Sequence, residues 1–224
     1  MKHAPDVSLY LVTDSRLSLG RPVAEVVRAA AQNGVTIVQL REKDCSTRDF
    51  IALARRVREI LAPLGIPLII NDRLDVALAT GADGVHIGQS DMPYGNARRL
   101  LGEDAIIGLS VGTPEEARMA EMLDVDYLGV SPVFSTPTKT DTGDAWEIEG
   151  LKILRTRSRH RLVAIGGINQ TNAATVMAAG ADGIAVVSAI CAADDPGKAA
   201  RQLRAIVEKS RRRKILKGCQ KKAS

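Results

Sequence analysis

The chain has 224 residues, of which 45% are hydrophobic and 25% are charged. It can bury one large core, and nothing in its composition divides that core into separate domains. The formal charge of +5 is concentrated at the end of the chain. Residues 209–224 hold eight Lys or Arg and no acid, which leaves 23 basic against 26 acidic side chains before them. We therefore predict one domain over residues 1–208 and a basic, disordered tail at 209–224.

The cysteines and the apolar runs limit the class of protein. Cys45, Cys191 and Cys219 are odd in number and widely spaced, which fits neither a disulfide framework nor a zinc cluster. No apolar run approaches the roughly 20 residues needed to span a membrane, and the first residues do not resemble a secretory signal. We expect a cytoplasmic protein without a membrane partner.

Eight short apolar runs, separated by helical segments, outline the predicted fold. The runs lack an alternating polar face, which is typical of parallel strands that are covered on both sides. The clearest helices are an amphipathic segment at 48–61 and one that starts at Thr113 with a proline and two glutamates. The predicted strands lie near residues 8–13, 35–40, 67–71, 83–87, 105–110, 126–131, 161–165 and 183–187.

A repeated phrase orders these units. GADGVHI at 81–87 recurs as GADGIAV at 180–186, 99 residues later, and looser versions precede the strands at 35 and 126. Four strand–helix units of about 25 residues fill that interval, so the two copies would lead into strands 4 and 8 of eight. We predict an α/β fold, a single (β/α)8 TIM barrel. An open, doubly wound sheet is the alternative that the pattern leaves open.

Polar side chains follow most of the predicted strands, and in a barrel the carboxyl ends of the strands meet at one rim. Arg41 and Lys43 follow strand 2, and Lys139 follows strand 6, which would bring three cations to that rim. Asp72 and Asp91 follow strands 3 and 4. Cations favour a polyanionic substrate, and one or two carboxylates together with phosphate oxygens are how proteins usually hold Mg²⁺. The pattern indicates a pyrophosphate bound together with Mg²⁺.

A second anion site is expected after strands 7 and 8. Gly166 and Gly167 leave main-chain N–H groups unobstructed, and Ser188 opens the segment after strand 8, where we expect a helix N-terminus. The loops after these two strands often bind a phosphate in TIM barrels. A plain strand–helix–strand crossover, with the glycines present for packing, is the structural alternative.

Seven motifs, in order along the chain, resemble one known family. They are QLREK (39–43), ND (71–72), HIGQSD (86–91), GLS (108–110), TPTK (136–139), GG (166–167) and VVSAI (186–190), and the match covers roughly Leu9 to Ala189. Together they resemble the thiamine phosphate synthases. The resemblance implies a Mg²⁺-dependent transferase of thiamine biosynthesis with a TIM barrel. It would join 4-amino-2-methyl-5-(diphosphooxymethyl)pyrimidine to 4-methyl-5-(2-phosphooxyethyl)thiazole, or its carboxylate, after dissociative loss of pyrophosphate.

The resemblance also implies a role for individual residues. Mg²⁺ would be bound by Asp72 and Asp91. The catalytic residues would be Arg41, Lys43, Ser110 and Lys139. The pyrimidine diphosphate would contact Gln39, Leu40, Arg41, Glu42, Lys43, Asn71, Ser110 and Lys139. The thiazole phosphate would contact Thr136, Pro137, Thr138, Gly167, Val187 and Ser188.

Two other functions are consistent with parts of the sequence. The related thiazole tautomerases share the barrel and the phosphate site, but they carry a His two positions after the strand-5 Ser, where this chain has Gly112. The basic tail suggests nucleic-acid binding, but it has no aromatic residue for base stacking, so we expect no nucleic-acid partner. The expected partners are the small-molecule substrates, and a homo-oligomer is compatible with the sequence.

Two features of the sequence are left undecided. His86 at the end of strand 4 is interpreted as a hydrogen-bonded wall residue as readily as a catalyst. The stretch from Asp144 to Glu149 departs from the usual continuation of the family after TPTK, so the sequence does not predict how that loop closes.

Overall fold

The computed structural model describes residues 5–135 and 145–222, with side chains up to residue 213. Eight parallel strands close into a barrel in chain order, because the last strand pairs with the first. Helices between the strands cover the outside of the barrel. The predicted TIM barrel is confirmed, and the closing pair excludes the open, doubly wound sheet.

Each strand lies within its predicted range, except that the fifth ends one residue later. The strands are β1 (Leu9–Val12), β2 (Ile37–Leu40), β3 (Leu68–Asn71), β4 (Gly84–Ile87), β5 (Ile106–Val111), β6 (Tyr127–Val130), β7 (Leu162–Ile165) and β8 (Gly183–Val186). The helices are α1 (Val23–Ala31), α2 (Thr47–Leu61), α3 (Leu74–Thr80), α4 (Tyr94–Leu101), α5 (Pro114–Ala120), α6 (Glu147–Arg157), α7 (Ala173–Ala178), α8 (Ser188–Cys191) and α9 (Pro196–Lys222). Short 3-10 helices lie at Ser15–Leu17 and Ala62–Leu64.

Side chains alternate along each strand between two buried apolar layers. Tyr10, Ile37 and Tyr127 belong to the cluster inside the barrel. Leu9 and Val38 belong to the larger cluster between the barrel and its helices. Because both faces of the strands are buried, the apolar runs of the sequence carry no polar face, as expected of parallel strands.

Two of the helices begin at residues whose side chains cap them. The Ser46 hydroxyl accepts a hydrogen bond from the N–H of Asp49 at 3.1 Å, and α2 follows. The Thr113 hydroxyl accepts from the N–H of Glu116 at 3.2 Å, with proline as the first residue of α5. These caps satisfy N–H groups that have no partner inside the helix. The predicted start at Thr113 is confirmed, and α2 begins one residue before the predicted amphipathic segment.

A polar residue directly before each even-numbered strand ties that strand to the preceding one. Its main-chain N–H donates to a carbonyl near the start of the preceding strand, and its side-chain oxygen accepts the N–H of the same residue. The pairs are Thr36 with Leu9, Asp83 with Leu68, Asp126 with Ile107 and Asp182 with Leu162, at N···O distances of 2.8–3.1 Å. We call each pair a clasp. The repeated phrase in the sequence supplies the aspartates of two clasps, before β4 and β8.

The last helix extends beyond the predicted domain boundary. The main chain of α9 is helical from Pro196 to Lys222, where a disordered tail was expected from residue 209 onwards. Lys and Arg are good helix formers, and the sequence has no Pro after Pro196 that would end the helix. Leu203 and Val207 are fully buried, so the first half of α9 belongs to the core. Within the described ranges, no helix is long and apolar enough to cross a membrane.

We expect Asp126→Ala to lower the free energy of unfolding by about 2 kcal/mol, because the Ile107 N–H loses its acceptor. The Asp126 side chain is only 10% exposed and also lies 3.5 Å from Arg98. Asp124→Ala is the matched control, since it removes an exposed carboxylate two residues earlier. Urea unfolding measures both variants, and equal stabilities would contradict a structural role for the clasp.

Candidate active site

A cavity of about 570 Å³ opens at the carboxyl ends of the strands. All eight strands or the residues directly after them contribute to its lining. Its floor is formed by inward-pointing side chains of the barrel, such as Tyr10 and Tyr127. Active sites of TIM barrels lie at this end because the loops that follow the strands converge there.

One wall of the cavity carries two cations from the segment after β2. The Arg41 main-chain N–H donates to the Thr13 hydroxyl at 3.0 Å, and its guanidinium lies 3.5 Å from Asp14 Oδ2. Lys43 Nζ lies 2.5 Å from Asp72 Oδ2. The Lys43 side chain is still 51% exposed, so its charge can also reach an anion in the cavity.

The same wall carries a pair of carboxylates. Asp91 Oδ2 accepts the N–H of Gly88 at 2.7 Å, and the Asp91 carboxyl group lies close enough to that of Asp72 to share a hydrogen bond when one of the two is protonated. Asp72 has a φ of 59°, a left-handed value that costs a residue other than glycine about 1 kcal/mol or more. The fold therefore holds Asp72 in a strained conformation directly beside Asp91 and Lys43.

The two carboxyl groups differ in their affinity for a proton. Burial raises the pKa of Asp91, and the hydrogen bond and negative charge of Asp72 raise it further. Burial also opposes ionisation of Asp72, but the bond from Lys43, the bond with Asp91 and the charge of Lys43 outweigh it and lower its pKa. Two adjacent carboxyl groups that cannot easily ionise together are suited to bind a cation.

The donor set fits Mg²⁺ held jointly by protein and substrate. Mg²⁺ prefers oxygen ligands and is commonly bound by one or two carboxylates, with phosphate oxygens and water completing its shell. Asp72 and Asp91 supply such a pair, and the described residues hold no group of three or more His, Cys, Asp or Glu that could bind a metal by themselves. The site therefore suits a metal that arrives with a phosphorylated ligand.

Another wall combines a glycine turn with the start of a short helix. Gly166 and Gly167 follow β7 with φ values of 104° and 64°, which favour glycine. Helix α8 begins at Ser188, and its first main-chain bond is donated by Ile190 to the carbonyl of Val187. N–H groups that precede such a bond have no acceptor inside the helix. Main-chain N–H groups of this kind are suited to an anion.

The two glycines are also required by packing. A Cβ added at Gly166 would lie 2.8 Å from Pro132 Cβ, and one at Gly167 would lie 2.9 Å from Phe134 Cβ. The loop after β6 approaches this closely because the N–H of Phe134 donates to the carbonyl of Gly166 at 3.1 Å. Packing and access to N–H groups therefore act at the same positions.

The floor of the cavity contains a continuous chain of hydrogen bonds. Gln39 Nε2 donates to the Tyr10 hydroxyl at 3.1 Å, which lies 2.7 Å from the Tyr127 hydroxyl. His86 Nδ1 lies 3.1 Å from the Tyr127 hydroxyl, and His86 Nε2 lies 2.8 Å from Ser110 Oγ. Both tyrosines are almost completely buried, so polar groups cross the barrel interior without direct contact with bulk water.

A family model described as thiamine monophosphate synthase matches residues 9–190. The chain belongs to the thiamine monophosphate synthase family.

Individual relatives agree with this family. The chain is 59% identical over 200 residues to a thiamine-phosphate synthase of Albidiferax ferrireducens, covering 89% of this chain and 91% of that protein. It is 53% identical over 205 residues to one of Syntrophomonas wolfei, covering 92% and 98%. The solved structure of a thiamine phosphate pyrophosphorylase from Pyrococcus furiosus superimposes with a TM-score of 0.84 at 40% identity, covering 92% and 98%. The activity expected from the sequence, synthesis of thiamine phosphate by a transferase, is confirmed.

Most of the site residues that the sequence predicts for this member of the family line the cavity. They are Gln39, Arg41, Lys43, Asn71, Asp72, Asp91, Ser110, Gly167, Val187 and Ser188. Leu40 does not: its side chain is fully buried in the layer between strands and helices, which limits any ligand contact to its main chain. Glu42 lines a smaller adjoining pocket. Thr136, Pro137, Thr138 and Lys139 lie outside the described residues.

The sequence did not predict that Tyr10 and Tyr127 form the floor, and it left the part played by His86 open. The sequence does contain a feature that indicates this role for the two tyrosines. The chain has three tyrosines, and two of them occupy inward positions of strands whose other side chains are aliphatic. Gly108 lies directly beside Tyr127 on the neighbouring strand β5, and a Cβ there would lie 2.1 Å from Tyr127 Cζ.

The segment that departs from the family pattern is anchored where the structure describes it. The Trp146 main-chain N–H donates to the carbonyl of Pro132 at 2.8 Å, and its indole N–H donates to the carbonyl of Val111 at 3.3 Å. The N–H of Glu147 donates to the carbonyl of Val133 at 3.0 Å. These bonds connect the start of α6 to the loop after β6 and to the end of β5. Asp144 lies outside the described residues.

We expect Arg21→Ala to loosen α8 and to lower the free energy of unfolding by about 2 kcal/mol, since hydrogen bonds from a charged donor are lost. The Arg21 guanidinium donates at 2.7–2.9 Å to the carbonyl of Cys191, the last residue of this helix, and to those of Ala193 and Asp194 just beyond it. Amide hydrogen exchange of residues 188–193 should increase. Arg201→Ala, which removes an exposed guanidinium bound to Asn33, is the control. Unchanged exchange in Arg21→Ala would contradict the anchoring role.

Proposed function

We propose that this chain joins 4-amino-2-methyl-5-(diphosphooxymethyl)pyrimidine to 4-methyl-5-(2-phosphooxyethyl)thiazole, or its carboxylate, with release of pyrophosphate assisted by Mg²⁺. The observation that carries the proposal is the cluster of Lys43, Asp72 and Asp91, which shares one cavity with the glycine turn and the start of α8. The cavity thus combines a cationic, metal-compatible wall with a second wall suited to a single phosphate.

The diphosphate of the pyrimidine substrate is assigned to the wall after β2. Arg41 and Lys43 would bind its oxygens, and Arg41 can do so with two parallel hydrogen bonds. Asp72 and Asp91 would hold Mg²⁺, which when bound neutralises negative charge on the leaving group. Asn71, at the end of β3, lines the same wall. Lys139, outside the described residues, is assigned here on the family resemblance alone.

The phosphate of the thiazole substrate is assigned to the glycine turn and α8. The N–H groups at the start of α8 and the Ser188 hydroxyl are suited to a phosphate dianion. Gly167 and Val187 line the same part of the cavity. Thr136, Pro137 and Thr138 complete this assignment from the resemblance. Separate anion sites would hold the two substrates side by side, which removes the entropic cost of bringing them together during the reaction.

The chemistry requires charge stabilisation more than proton transfer. Loss of pyrophosphate from the pyrimidine methylene leaves a cation that the ring stabilises, and the thiazole nitrogen then forms the new carbon–nitrogen bond with its lone pair. Arg41 and Lys43 would stabilise the negative charge that develops on the departing group. No general base is needed for this bond-forming step, which agrees with a cavity whose only described His is hydrogen-bonded to Tyr127 and Ser110.

The cellular setting is also proposed. A cytoplasmic location is supported by the free thiols of Cys45 and Cys191, since a reducing compartment keeps such thiols unpaired. Self-association and the absence of a nucleic-acid partner stay predictions.

Asp72→Asn and Asp91→Asn should each lower kcat about a hundredfold or more, as expected when transition-state electrostatics are lost. Both should also raise the Mg²⁺ concentration needed for half-maximal rate, while the KM for the thiazole phosphate changes little. The measurement is thiamine phosphate formation from the two purified substrates against Mg²⁺ concentration.

Asp75→Asn is the matched control for these variants. It removes an exposed carboxylate of α3 that is paired with Arg73, three residues beyond Asp72. We expect near-normal turnover and an unchanged Mg²⁺ dependence. Full activity of the unmodified chain in excess EDTA, or near-normal rates in both folded site variants, would refute the metal assignment. Turnover of the thiazole substrate alone, without the pyrimidine, would favour the tautomerase alternative.

A chain that ends at residue 209 is expected to keep its kcat and both KM values within about twofold. The removed part of α9 follows the buried residues Leu203 and Val207, and none of its residues with described side chains lines the cavity. A small loss of stability is expected, because Arg211 donates to the Ser8 hydroxyl and lies 3.3 Å from Asp6 Oδ1. Steady-state kinetics and thermal unfolding measure both effects. A folded, shortened chain that has lost most of its turnover would refute the predicted boundary.

A further inference from the structure

The hydrogen-bond chain in the floor ends at two residues that the proposed function assigns to the pyrimidine substrate, Gln39 and Ser110. Between them lie Tyr10, Tyr127 and His86, to which the motifs and the proposed function assign no role. The residues of this hydrogen-bond chain lie on β1, β2, β4, β5 and β6, which are more than half of the strands of the barrel. Its consequence for the reaction depends on how its protons are ordered.

The barrel makes room for the middle of this chain by omitting side chains around it. A Cβ at Gly108 would lie 2.1 Å from Tyr127 Cζ, and one at Gly129 would lie 2.9 Å from His86 Cε1. The His86 and Tyr127 rings stack with centroids 5.6 Å apart and an interplanar angle of 20°. An aliphatic core would fill this space without needing partners for two phenols and an imidazole. The glycines and the polar groups therefore form one built arrangement.

The donor and the acceptor of each hydrogen bond between Gln39 and Ser110 can be assigned. Burial raises the pKa of Tyr10 and of Tyr127, so both phenols keep their protons at neutral pH. Tyr10 accepts from Gln39 Nε2, so its own proton is directed to Tyr127, which in turn donates to His86 Nδ1. His86 then carries its proton on Nε2 and donates it to Ser110 Oγ. This order leaves the Ser110 proton to point into the cavity.

We propose that Tyr10, Tyr127 and His86 are positioning residues. They make the Ser110 hydroxyl a hydrogen-bond donor, and the side-chain carbonyl of Gln39 an acceptor, toward the aminopyrimidine ring. The proposal rests on the proposed function, which assigns both end residues to this substrate. The ring offers the complementary pattern, because its amino N–H lies beside a ring nitrogen with a lone pair.

The same order acts on the chemical step. As pyrophosphate leaves, positive charge spreads over the ring and its amino group becomes a stronger donor. An acceptor held against that amino group then gains strength in the transition state, which raises kcat. The opposite proton order would turn Ser110 into an acceptor that faces the lone pair of the ring nitrogen. A chain of neutral groups sets this polarity without placing a charge beside the cation.

A double-mutant cycle between Tyr127 and Ser110 tests the proposal. Tyr127→Phe should lower kcat/KM for the pyrimidine diphosphate about tenfold, the effect of one lost hydrogen bond, with the KM for the thiazole phosphate unchanged. In the Ser110→Ala background, the same change should cost about twofold or less, because Tyr127 acts through Ser110.

Tyr94→Phe is the matched control, since it removes a phenol that donates to the carbonyl of Asp124 on the surface, and it should leave the kinetics unchanged. If Tyr127→Phe alone does not fold, the combined variant Tyr10→Phe/Tyr127→Phe is measured in its place. It removes both members of the buried hydroxyl pair and leaves no unpaired phenol.

Nitrogen-15 NMR of the imidazoles gives an independent readout. We expect the Nε2–H tautomer at His86 in the unmodified chain and a shift toward the Nδ1–H tautomer in Tyr127→Phe. His160, whose Nε2 lies 3.1 Å from the carbonyl of Ala120, should not change and serves as the internal reference. An unchanged His86 tautomer in Tyr127→Phe would refute the proton order.

The outcomes separate this inference from the function on which it rests. If Ser110→Ala is costly but the effects of the two substitutions simply add, the positioning role is wrong and the site assignment stands. If Ser110→Ala leaves the kinetics unchanged, the assignment of Ser110 to the pyrimidine fails, and the inference fails with it.

Discussion

The pairing of β8 with β1 closes the sheet, and the remaining features of the molecule depend on this closure. Seven of the eight strands have only four residues, so each ladder contributes few main-chain hydrogen bonds. The clasps before the even-numbered strands add two bonds to each pair, at the end of the barrel opposite the cavity. A closed ring leaves no unpaired edge and brings every strand to the same rim. The cavity forms at that rim because the loops that follow all eight strands converge there.

Filling the inside of this ring posed a second constraint. The side chains of Tyr10 and Tyr127 meet inside the barrel. Glycines at positions 108 and 129 leave the space that Tyr127 and His86 occupy. Buried phenols need hydrogen-bond partners, and here the partners lead outward to Gln39 and Ser110 at the cavity. The same residues therefore fill the interior of the barrel and set the polarity of the active-site floor.

Two walls of the cavity offer different groups to an anion. Arg41, Lys43, Asp72 and Asp91 lie beside β2, β3 and β4, where they are suited to a diphosphate and a metal. Around β7 and β8, main-chain N–H groups and a serine take their place. A diphosphate must be expelled, which requires strong charges that respond to its departure, whereas a monophosphate only needs to be held. In the proposed function, the start of α8 would hold the monophosphate without adding a positive side chain close to the developing cation.

The sequence by itself determined the positions of the strands, the number of units and the residues at each strand end. These depend on local patterns: apolar runs of strand length, turn residues and repeats read along the chain. The structure alone decided which way neighbouring residues of one motif face. Leu40 turns into the outer layer while Gln39 points inward, because side chains alternate along a strand whose register the barrel sets. It also revealed the bond between Tyr10 and Tyr127, which are 117 residues apart. No local pattern encodes such a contact, since it forms only when β1 and β6 come to face each other across a closed barrel.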